Sequence, residues 1–280
     1  MSYWAPARRA SPHPSCPAAR SGKHPLARSY IMNTHLKSCL RRLMPRAIRP
    51  HRILSGPLQG ARIVTSWHDY PAAILGYTEG PLVGWFRKNV IQGETWLDIG
   101  AHYGYTAIAL SRLAGKTGRV FAFEPMLSTA GSLVQTGLRN RFTGLTVVPI
   151  ALGAPSELEL CRLPTVRGMA DSTVECGESF ETIIVARLDW LWPQICGERE
   201  EIEGVKIDVQ GMETEVLRGM SDLLRLHRPK LVVEFHRGVD RDRVLGLIEA
   251  AGYSRRGVPI EPVEGESAPR YIDNRSYAFQ

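Results

Sequence analysis

The chain of 280 residues lacks the long apolar run that a membrane-spanning helix needs, since none of its apolar stretches approaches about 18 uninterrupted residues. Its five cysteines are scattered and form no CxxC pair, so the sequence predicts neither a disulfide framework nor a zinc site. Cysteines used in this way are typical of a reducing compartment, and we expect a cytoplasmic location. A hydrophobic share of 44% excludes a wholly disordered chain and is enough for one full core.

Acidic side chains are absent from the first sixty positions. Residues 1–60 contain eleven Lys or Arg and neither Asp nor Glu, whereas residues 61–280 contain 24 basic and 28 acidic residues. The net charge of +7 therefore belongs to the N-terminal part, and the rest of the chain is mildly acidic. Because nucleic acids are bound through basic surfaces, an acidic body without a basic stripe argues against a nucleic-acid partner.

Composition divides the chain into three parts. Residues 1–30 are rich in Pro, Ser, Arg and His, so we expect a basic, disordered extension, with a transit peptide or a true start at Met32 as alternatives. Residues 31–62 form a basic lead-in, and within it residues 31–44 have the apolar spacing of an amphipathic helix. That helix suits either packing on the body or peripheral contact with an anionic membrane. Residues 63–280 are predicted to form the main domain.

Short apolar runs alternate with helical segments from residue 95 onward. This order predicts βαβ units and hence an α/β fold with a mostly parallel sheet buried on both faces. The predicted strands are Thr95–Ile99, Arg119–Phe123, Leu145–Leu152, Gly204–Val209 and Lys230–Phe235. An acid stands at or near the end of four of them, namely Asp98, Glu124, Asp208 and Glu234. Since the carboxyl ends of parallel strands share one edge, where α/β folds bind ligands, these acids predict a common ligand site.

The turn after the first of these strands contains two glycines, Gly100 and Gly104. A dinucleotide fingerprint would read GxGxxG, and the His at position 102 argues against it. Glu124 lies 24 residues past Gly100, where an acid accepts hydrogen bonds from ribose hydroxyls. Asp98, just before the turn, would repel a diphosphate and suits a ligand with positive charge. S-adenosylmethionine, with its ribose, ammonium and sulfonium groups, satisfies these conditions.

The segment Glu157–Leu191 interrupts the alternation of strands and helices after the third strand. Glu157–Leu163 and Thr182–Leu188 have strand-like composition, while Thr165–Ser179 between them is polar. We therefore expect a β-rich insertion, which either covers the site and shapes the acceptor pocket or forms a surface loop.

Six segments of the sequence together resemble the FkbM-type methyltransferases, in the same order from about Ile63 to Phe279. They read DIGAHYGYTA, FEP, ALG, RLDWL, VKIDVQGMETEVLRGM and PKLVVEFH, and the fifth is the most specific. The family commonly has Glu where this chain has Gln210, and Asn where it has His102. The resemblance implies a class I methyltransferase fold, a Rossmann-like, doubly wound sheet of seven mostly parallel strands. It also implies that Gly252–Pro259 and Arg275–Phe279 form the last two strands, of which one is antiparallel.

The same resemblance implies methyl transfer from S-adenosylmethionine, typically to a hydroxyl oxygen of a small metabolite or sugar, and so makes residues 63–280 a methyltransferase domain. Glu79 matches an acidic position of the family that belongs either to the cofactor side or to a helix cap. The remaining positions implied to bind the cofactor are Asp98, Gly100, His102 and Gly104 at the methionine part, Glu124 at the ribose, and Ala151 and Leu152 near the adenine.

A hydroxyl acceptor needs a base, because an aliphatic hydroxyl is a poor nucleophile until its proton is removed. The candidates at the sheet edge are Asp208, ranked first, then His236, and Glu213 in the following helix. We expect Lys206 on the same face as Asp208, two residues away in a strand. Other interpretations stay open: Asp208 caps a helix, Glu213 favours a helix N-terminus, and His236 is a surface residue. Asp208, Glu213 and His236 would also suit a divalent cation, but their spacing is not diagnostic and we predict no metal.

Two other functions stay open. In one, the basic N-terminal arm binds RNA and the body methylates a ribose 2′-hydroxyl, with Lys206, Asp208 and Glu234 at the reaction site. In the other, the chain is a non-catalytic module that keeps the fold and binds a partner through its N-terminal helix. A small-molecule hydroxyl acceptor is the partner that the resemblance favours, and the sequence indicates no oligomeric state.

Overall fold

The computed structural model describes residues 44–166, 169–170, 179–197, 201–262 and 270–280. Residues Pro45–Gln280 form one compact unit. Met1–Met44 form a second unit, of which only Met44 is described, so the predicted extension and amphipathic helix lie outside the described residues. The predicted domain boundaries therefore stay predictions. Within the part of the chain that is described, no helix is long and apolar enough to cross a bilayer.

Strands and helices alternate through most of the compact unit. The strands are β1 (Arg49–Arg52), β2 (Arg62–Thr65), β3 (Thr95–Ile99), β4 (Arg119–Phe123), β5 (Leu145–Val148), β6 (Ala151–Leu152), β7 (Glu159–Val166), β8 (Met169–Ala170), β9 (Ser179–Ala186), β10 (Gly204–Ile207), β11 (Lys230–Phe235), β12 (Val258–Pro259) and β13 (Arg275–Phe279). The helices are α1 (Pro71–Leu75), α2 (Gly80–Asn89), α3 (Tyr105–Ala114), α4 (Leu127–Asn140), α5 (Leu188–Ile195), α6 (Glu213–Gly219), α7 (Ser221–His227) and α8 (Arg241–Ala250).

The central sheet has seven strands in the order β12-β13-β11-β10-β3-β4-β5. Neighbours from β11 through β10, β3 and β4 to β5 are parallel, and β13 pairs antiparallel with both β11 and β12. The predicted class I methyltransferase fold, with its one antiparallel strand near the C terminus, is therefore confirmed.

Both faces of this sheet are buried, as the apolar strands predict. All five residues of β3 are buried, with Leu97 and Ile99 in one core cluster and Trp96 in another. Helices thus cover both sides of the sheet, which is what doubly wound means. Gly204 permits the close contact of β10 with β3, because a Cβ there would lie 2.2 Å from the Trp96 ring.

The predicted β-rich insertion is present as a separate four-stranded sheet in the order β6-β9-β7-β8. Its main pair, β7 and β9, is antiparallel from Glu159 opposite Val185 to Thr165 opposite Ser179. The predicted single strand Leu145–Leu152 is wrong, since β5 ends at Val148 and Ala151 begins β6 in the second sheet. The strand predicted over Thr182–Leu188 begins earlier, and Leu188 already belongs to α5.

Candidate active site

Four carboxylates lie along one edge of the central sheet, as predicted. Asp98 is in β3 and Glu234 in β11, while Glu124 and Asp208 directly follow β4 and β10. The strands β11, β10, β3 and β4 are adjacent and parallel, so their carboxyl ends share one edge. This is the side of an open α/β sheet on which ligands bind.

The glycine turn between β3 and α3 brings backbone close to that edge. Gly100, His102 and Gly104 all have left-handed backbone, with φ of 79°, 50° and 91°. A Cβ on Gly100 would lie 1.8 Å from the carbonyl oxygen of Asp208, so only glycine permits this approach. His and Asn are both enriched among residues with this conformation, so His102 keeps the backbone for which the family commonly has Asn.

Glu124 stabilises the glycine turn from the neighbouring strand. Its Oε2 accepts a hydrogen bond from the His102 backbone N–H at 3.0 Å, and its Oε1 accepts one from Met126 N–H at 3.1 Å. Burial raises the pKa of this carboxyl to about 7, against the opposing effect of the two hydrogen bonds. The sequence did not indicate this structural role. The predicted contact with ribose stays a prediction, and each oxygen has a lone pair left for it.

Lys206 joins two of the edge acids. Its Nζ lies 3.2 Å from Asp98 Oδ1 and 3.3 Å from Asp208 Oδ2, and it donates to the Gly100 carbonyl at 3.1 Å. Burial would lower the pKa of this lysine, but the charges of Asp98 and Asp208 outweigh it and raise the pKa. Thr106 Oγ donates to Asp98 Oδ2 at 2.7 Å. The expectation that Lys206 and Asp208 share a face is confirmed.

The three predicted catalytic residues meet at His236. Its Nδ1 lies 2.7 Å from Glu213 Oε1, and its Nε2 lies 3.3 Å from Asp208 Oδ1. Glu213 is fully buried and its Oε1 also accepts the Gly211 N–H at 3.1 Å. Burial would lower the pKa of His236, but the bond to Glu213 and the nearby carboxylates raise it. The role of these three residues in catalysis stays a prediction.

Glu234 joins this cluster, although the sequence identified it only as an edge acid and, in the RNA alternative, as a reaction-site residue. Its Oε1 lies 3.5 Å from His236 Nε2, and its Oε2 accepts a hydrogen bond from Ser276 Oγ at 3.2 Å. Burial and the charge of Asp208 raise the pKa of Glu234 to about 7. The sequence signal for this contact is that Glu234 lies two residues before His236, which directly follows β11, and residues two apart in extended backbone point to one face.

The segment before β3 contributes Glu79 and Tyr70. Glu79 precedes α2 with φ of 54°, and among the described residues its side chain makes no capping hydrogen bond, contrary to the helix-cap alternative. Burial raises the pKa of Glu79, Lys206 lowers it, and Asp208 raises it further. The Tyr70 ring lies 5.2 Å from the His102 ring. No local pattern indicated Tyr70, because the residues that it contacts at the site are distant in the chain.

Burial lowers the pKa of His102 to about 4, so its ring is neutral at pH 7. The two predicted adenine residues differ: Leu152 is buried in the core, and Ala151 is partly exposed beside it. Their contact with adenine stays a prediction.

Three side chains at the edge could hold a metal ion. Asp208, Glu234 and His236 each offer one ligand atom, and these atoms lie within 4.8 Å of one another. The sequence suggested Glu213 as the third ligand instead, but Glu213 contacts the opposite ring nitrogen of His236. It therefore lies behind the histidine rather than beside the other two groups.

Comparison with known proteins gives a family and a relative. Residues 98–255, more than half of the chain, match the family model described as the methyltransferase FkbM domain. The hexuronic acid methyltransferase AglP of Haloferax volcanii is 33% identical over 158 residues, which are 56% of this chain and 62% of that protein. This chain therefore spans less than two thirds of the length of that relative.

Two solved structures align with the chain at low sequence identity. The methyltransferase FkbM from Methylobacillus flagellatus is 18% identical, with a TM-score of 0.46, over 66% of this chain and 43% of that one. The fibrillarin of Aeropyrum pernix was solved with natively bound S-adenosyl-L-methionine. It is 13% identical, with a TM-score of 0.42, over 68% of this chain and 67% of that one.

The range of the family match begins at Asp98 and includes Glu124, Lys206, Asp208 and His236, and hence most of the sheet edge described above. Sequence resemblance, strand order and the family model agree. The chain belongs to the FkbM methyltransferase domain family.

Proposed function

We propose that the protein transfers the methyl group of S-adenosylmethionine to a hydroxyl oxygen of a small metabolite or sugar. The observation that carries this proposal is the row of carboxylates at the edge formed by β11, β10, β3 and β4. Within this row Lys206 pairs with Asp98 and Asp208. The carboxylates of the row therefore outnumber the lysines that pair with them. Such a site favours a cationic ligand and disfavours a phosphate-rich one.

The residues around the glycine turn fit this cofactor. Left-handed glycines at positions 100 and 104 let a ligand approach the backbone closely. Glu124 is buried next to the turn, where its remaining lone pairs suit the two hydroxyls of a ribose. Asp98 and Glu79 place negative charge at the methionine side of the proposed site.

When bound, S-adenosylmethionine supplies a methyl group already activated by its sulfonium. What the protein must add is alignment of the acceptor oxygen with that carbon, which can contribute several kcal/mol by proximity. Asp208 accepts the acceptor's proton as attack proceeds. Lys206 fixes one oxygen of Asp208, and His236, held by Glu213, faces the other.

A sugar acceptor is supported by the name of the hexuronic acid methyltransferase that matches this chain. Carboxylates are frequent partners of sugar hydroxyls because each oxygen accepts hydrogen bonds from them. The RNA alternative is not favoured, since an edge rich in carboxylates repels phosphates. Cytoplasmic location and peripheral membrane contact by residues 31–44 stay predictions.

Calorimetric titration of S-adenosylmethionine into the full chain tests the cofactor. We expect saturable binding that is at least tenfold weaker in Glu124→Gln and unchanged in Glu249→Gln, whose carboxylate is exposed in α8. A folded wild-type chain that binds no S-adenosylmethionine would exclude the proposal.

Incubation with the cofactor and a panel of uronic acids, neutral sugars and short RNAs then tests the acceptor. Mass spectrometry should detect one added methyl group on a sugar. Methylation of RNA alone would replace the sugar proposal by the RNA alternative.

A further inference from the structure

The three groups that could hold a metal share one arrangement: each is anchored through one atom and presents another to the same point. Asp208 Oδ2 is fixed by Lys206 at 3.3 Å, which leaves Oδ1 toward His236. Glu234 Oε2 is fixed by the Ser276 hydroxyl, which leaves Oε1 toward His236. His236 Nδ1 is fixed by Glu213, which leaves Nε2 as the third converging atom.

The spacing of the converging atoms suits a six-coordinate ion. His236 Nε2 lies 3.3 Å from Asp208 Oδ1 and 3.5 Å from Glu234 Oε1. Adjacent ligands of an octahedral ion with bonds of about 2.1 Å are about 3 Å apart, so small movements would close the site. Three side chains would leave further positions for water or for oxygens of an acceptor.

Glu213 supplies an independent observation that points to a metal. A histidine that ligates a metal through one nitrogen almost always donates its other N–H to a carboxylate or carbonyl, which fixes its orientation. Glu213 is fully buried, accepts His236 Nδ1–H at 2.7 Å, and is itself held by the Gly211 N–H. Glu213, a buried carboxylate behind a partly exposed cluster, is therefore placed as the outer partner of a metal-ligating histidine.

The two carboxylates also favour a cation at this point. Asp208 and Glu234 bring two carboxylates to one point, and Lys206 faces only the outer oxygen of Asp208. Oxygen ligands with one imidazole suit Mn²⁺ and related divalent ions.

We propose that Asp208 Oδ1, Glu234 Oε1 and His236 Nε2 bind one divalent cation of the Mn²⁺ or Mg²⁺ type, which holds the acceptor hydroxyl. The binding site stands by itself, whereas this role rests on the proposed function. As a Lewis acid the cation lowers the pKa of a coordinated hydroxyl. The acceptor O–H bond then breaks and its proton leaves to water. The oxygen pair forms the new bond to the methyl carbon, and the C–S electrons stay on sulfur. With the cation bound, Asp208 acts as a ligand, and water rather than Asp208 takes the proton of the acceptor.

The test is titration of Mn²⁺ into the chelator-treated full chain, with free Mn²⁺ measured by electron paramagnetic resonance. We expect one saturable site per chain, bound at least tenfold more weakly by Glu234→Gln and His236→Gln. Glu213→Gln, which removes no ligand, should weaken binding by about 10–100-fold. Glu215→Gln, two residues along α6 and paired with exposed Arg218, should bind as the wild type does.

The absence of saturable Mn²⁺ binding by the folded chain would overturn the proposal, as would wild-type affinity in Glu234→Gln and His236→Gln. If those variants fail to fold, pulsed resonance of the wild-type Mn²⁺ complex decides. A ¹⁴N coupling from imidazole is expected, and its absence would overturn the site.

Titration of S-adenosylmethionine in the presence of chelator separates the two proposals. If the chain binds S-adenosylmethionine but has no Mn²⁺ site, only the proposal of a cation site is overturned. A Mn²⁺ site in a chain that binds no S-adenosylmethionine would overturn the proposed function and keep the cation site.

Discussion

At the scale of single residues, Asp208 uses its two carboxylate oxygens for different partners. Oδ2 faces the buried Lys206 and Oδ1 faces His236. An acid held between a lysine ammonium and an imidazole has a fixed orientation, which a proton acceptor or a metal ligand needs. Sequence position alone placed Asp208 at the sheet edge but did not indicate which oxygen would face Lys206 and which would face His236.

Asp208→Asn should therefore lower kcat for methyl transfer by about 10²–10⁴-fold, because an amide neither accepts the proton nor binds a cation well. S-adenosylmethionine affinity should change little. Steady-state kinetics and calorimetry measure the two effects, and Asp242→Asn, at an exposed acid of α8, is the control. Full activity in Asp208→Asn would remove this residue from the mechanism.

The raised pKa of the Glu234 carboxyl leads us to expect that stability depends on pH. Burial and the Asp208 charge raise its pKa from 4.5 to about 7, so between these pH values the folded state keeps a proton that the unfolded state loses. The free energy of unfolding therefore falls as pH rises through this window. Glu234→Gln has no carboxyl at this position and so does not lose this stability. Its free energy of unfolding minus that of the wild type should therefore increase by about 1–3 kcal/mol between pH 4.5 and pH 8.

Urea unfolding at a series of pH values measures the difference. Glu249→Gln, which makes the same acid-to-amide change at an exposed position of α8, is the control. If the difference between Glu234→Gln and the wild type does not change with pH, the Glu234 carboxyl has the same pKa in the folded and unfolded states.

At the scale of secondary-structure elements, local patterns predicted several strands of the central sheet. The runs Thr95–Ile99, Arg119–Phe123 and Lys230–Phe235 are β3, β4 and β11. Each of them is defined by its own apolar spacing. The run Leu145–Leu152 failed because Ala151 pairs with Val185 in the second sheet, a contact across 34 residues that no local pattern contains.

The glycine turn gives a prediction at this scale. Gly100→Ala should destabilise the fold by about 2–4 kcal/mol, since its φ is 79° and the new Cβ would meet the Asp208 carbonyl oxygen. Gly246→Ala, in the middle of α8 with nothing within 4 Å of its Cβ, should stabilise by about 0.5–1 kcal/mol. Chemical unfolding followed by circular dichroism measures both, and equal effects would contradict the close approach.

At the scale of the whole molecule, the part of the lead-in from residue 45 onward contributes to the core of the compact unit. Ile53 and Leu58 are buried, β1 pairs with β2, and Val64 N–H donates to Thr136 Oγ in α4 at 2.9 Å. The sequence placed the start of the domain at residue 63, because the family resemblance begins near Ile63. The core cluster that contains Ile53 and Leu58 also includes Ala73, Ile74 and Phe86, so their burial depends on contacts that no local pattern contains.

A chain beginning at Ile63 should accordingly be less stable than one beginning at Pro45, by about 3 kcal/mol or more, because the shorter chain loses β1 and two buried aliphatic side chains. Thermal and urea unfolding of the two chains measure the difference. Equal stability would show that the domain starts where the sequence alone suggested.

The left-handed backbone of His102 and Gln210 has a consequence for engineering. Both have φ of 50° in the loops that follow β3 and β10, next to Gly100 and Gly211. Only a small set of residues, chiefly glycine, asparagine, aspartate and histidine, adopts this conformation readily. A mutant library that seeks a new acceptor range should therefore allow only those residue types at positions 102 and 210. It should vary neighbouring positions such as Tyr70 more widely, because the backbone there does not restrict the residue type in this way.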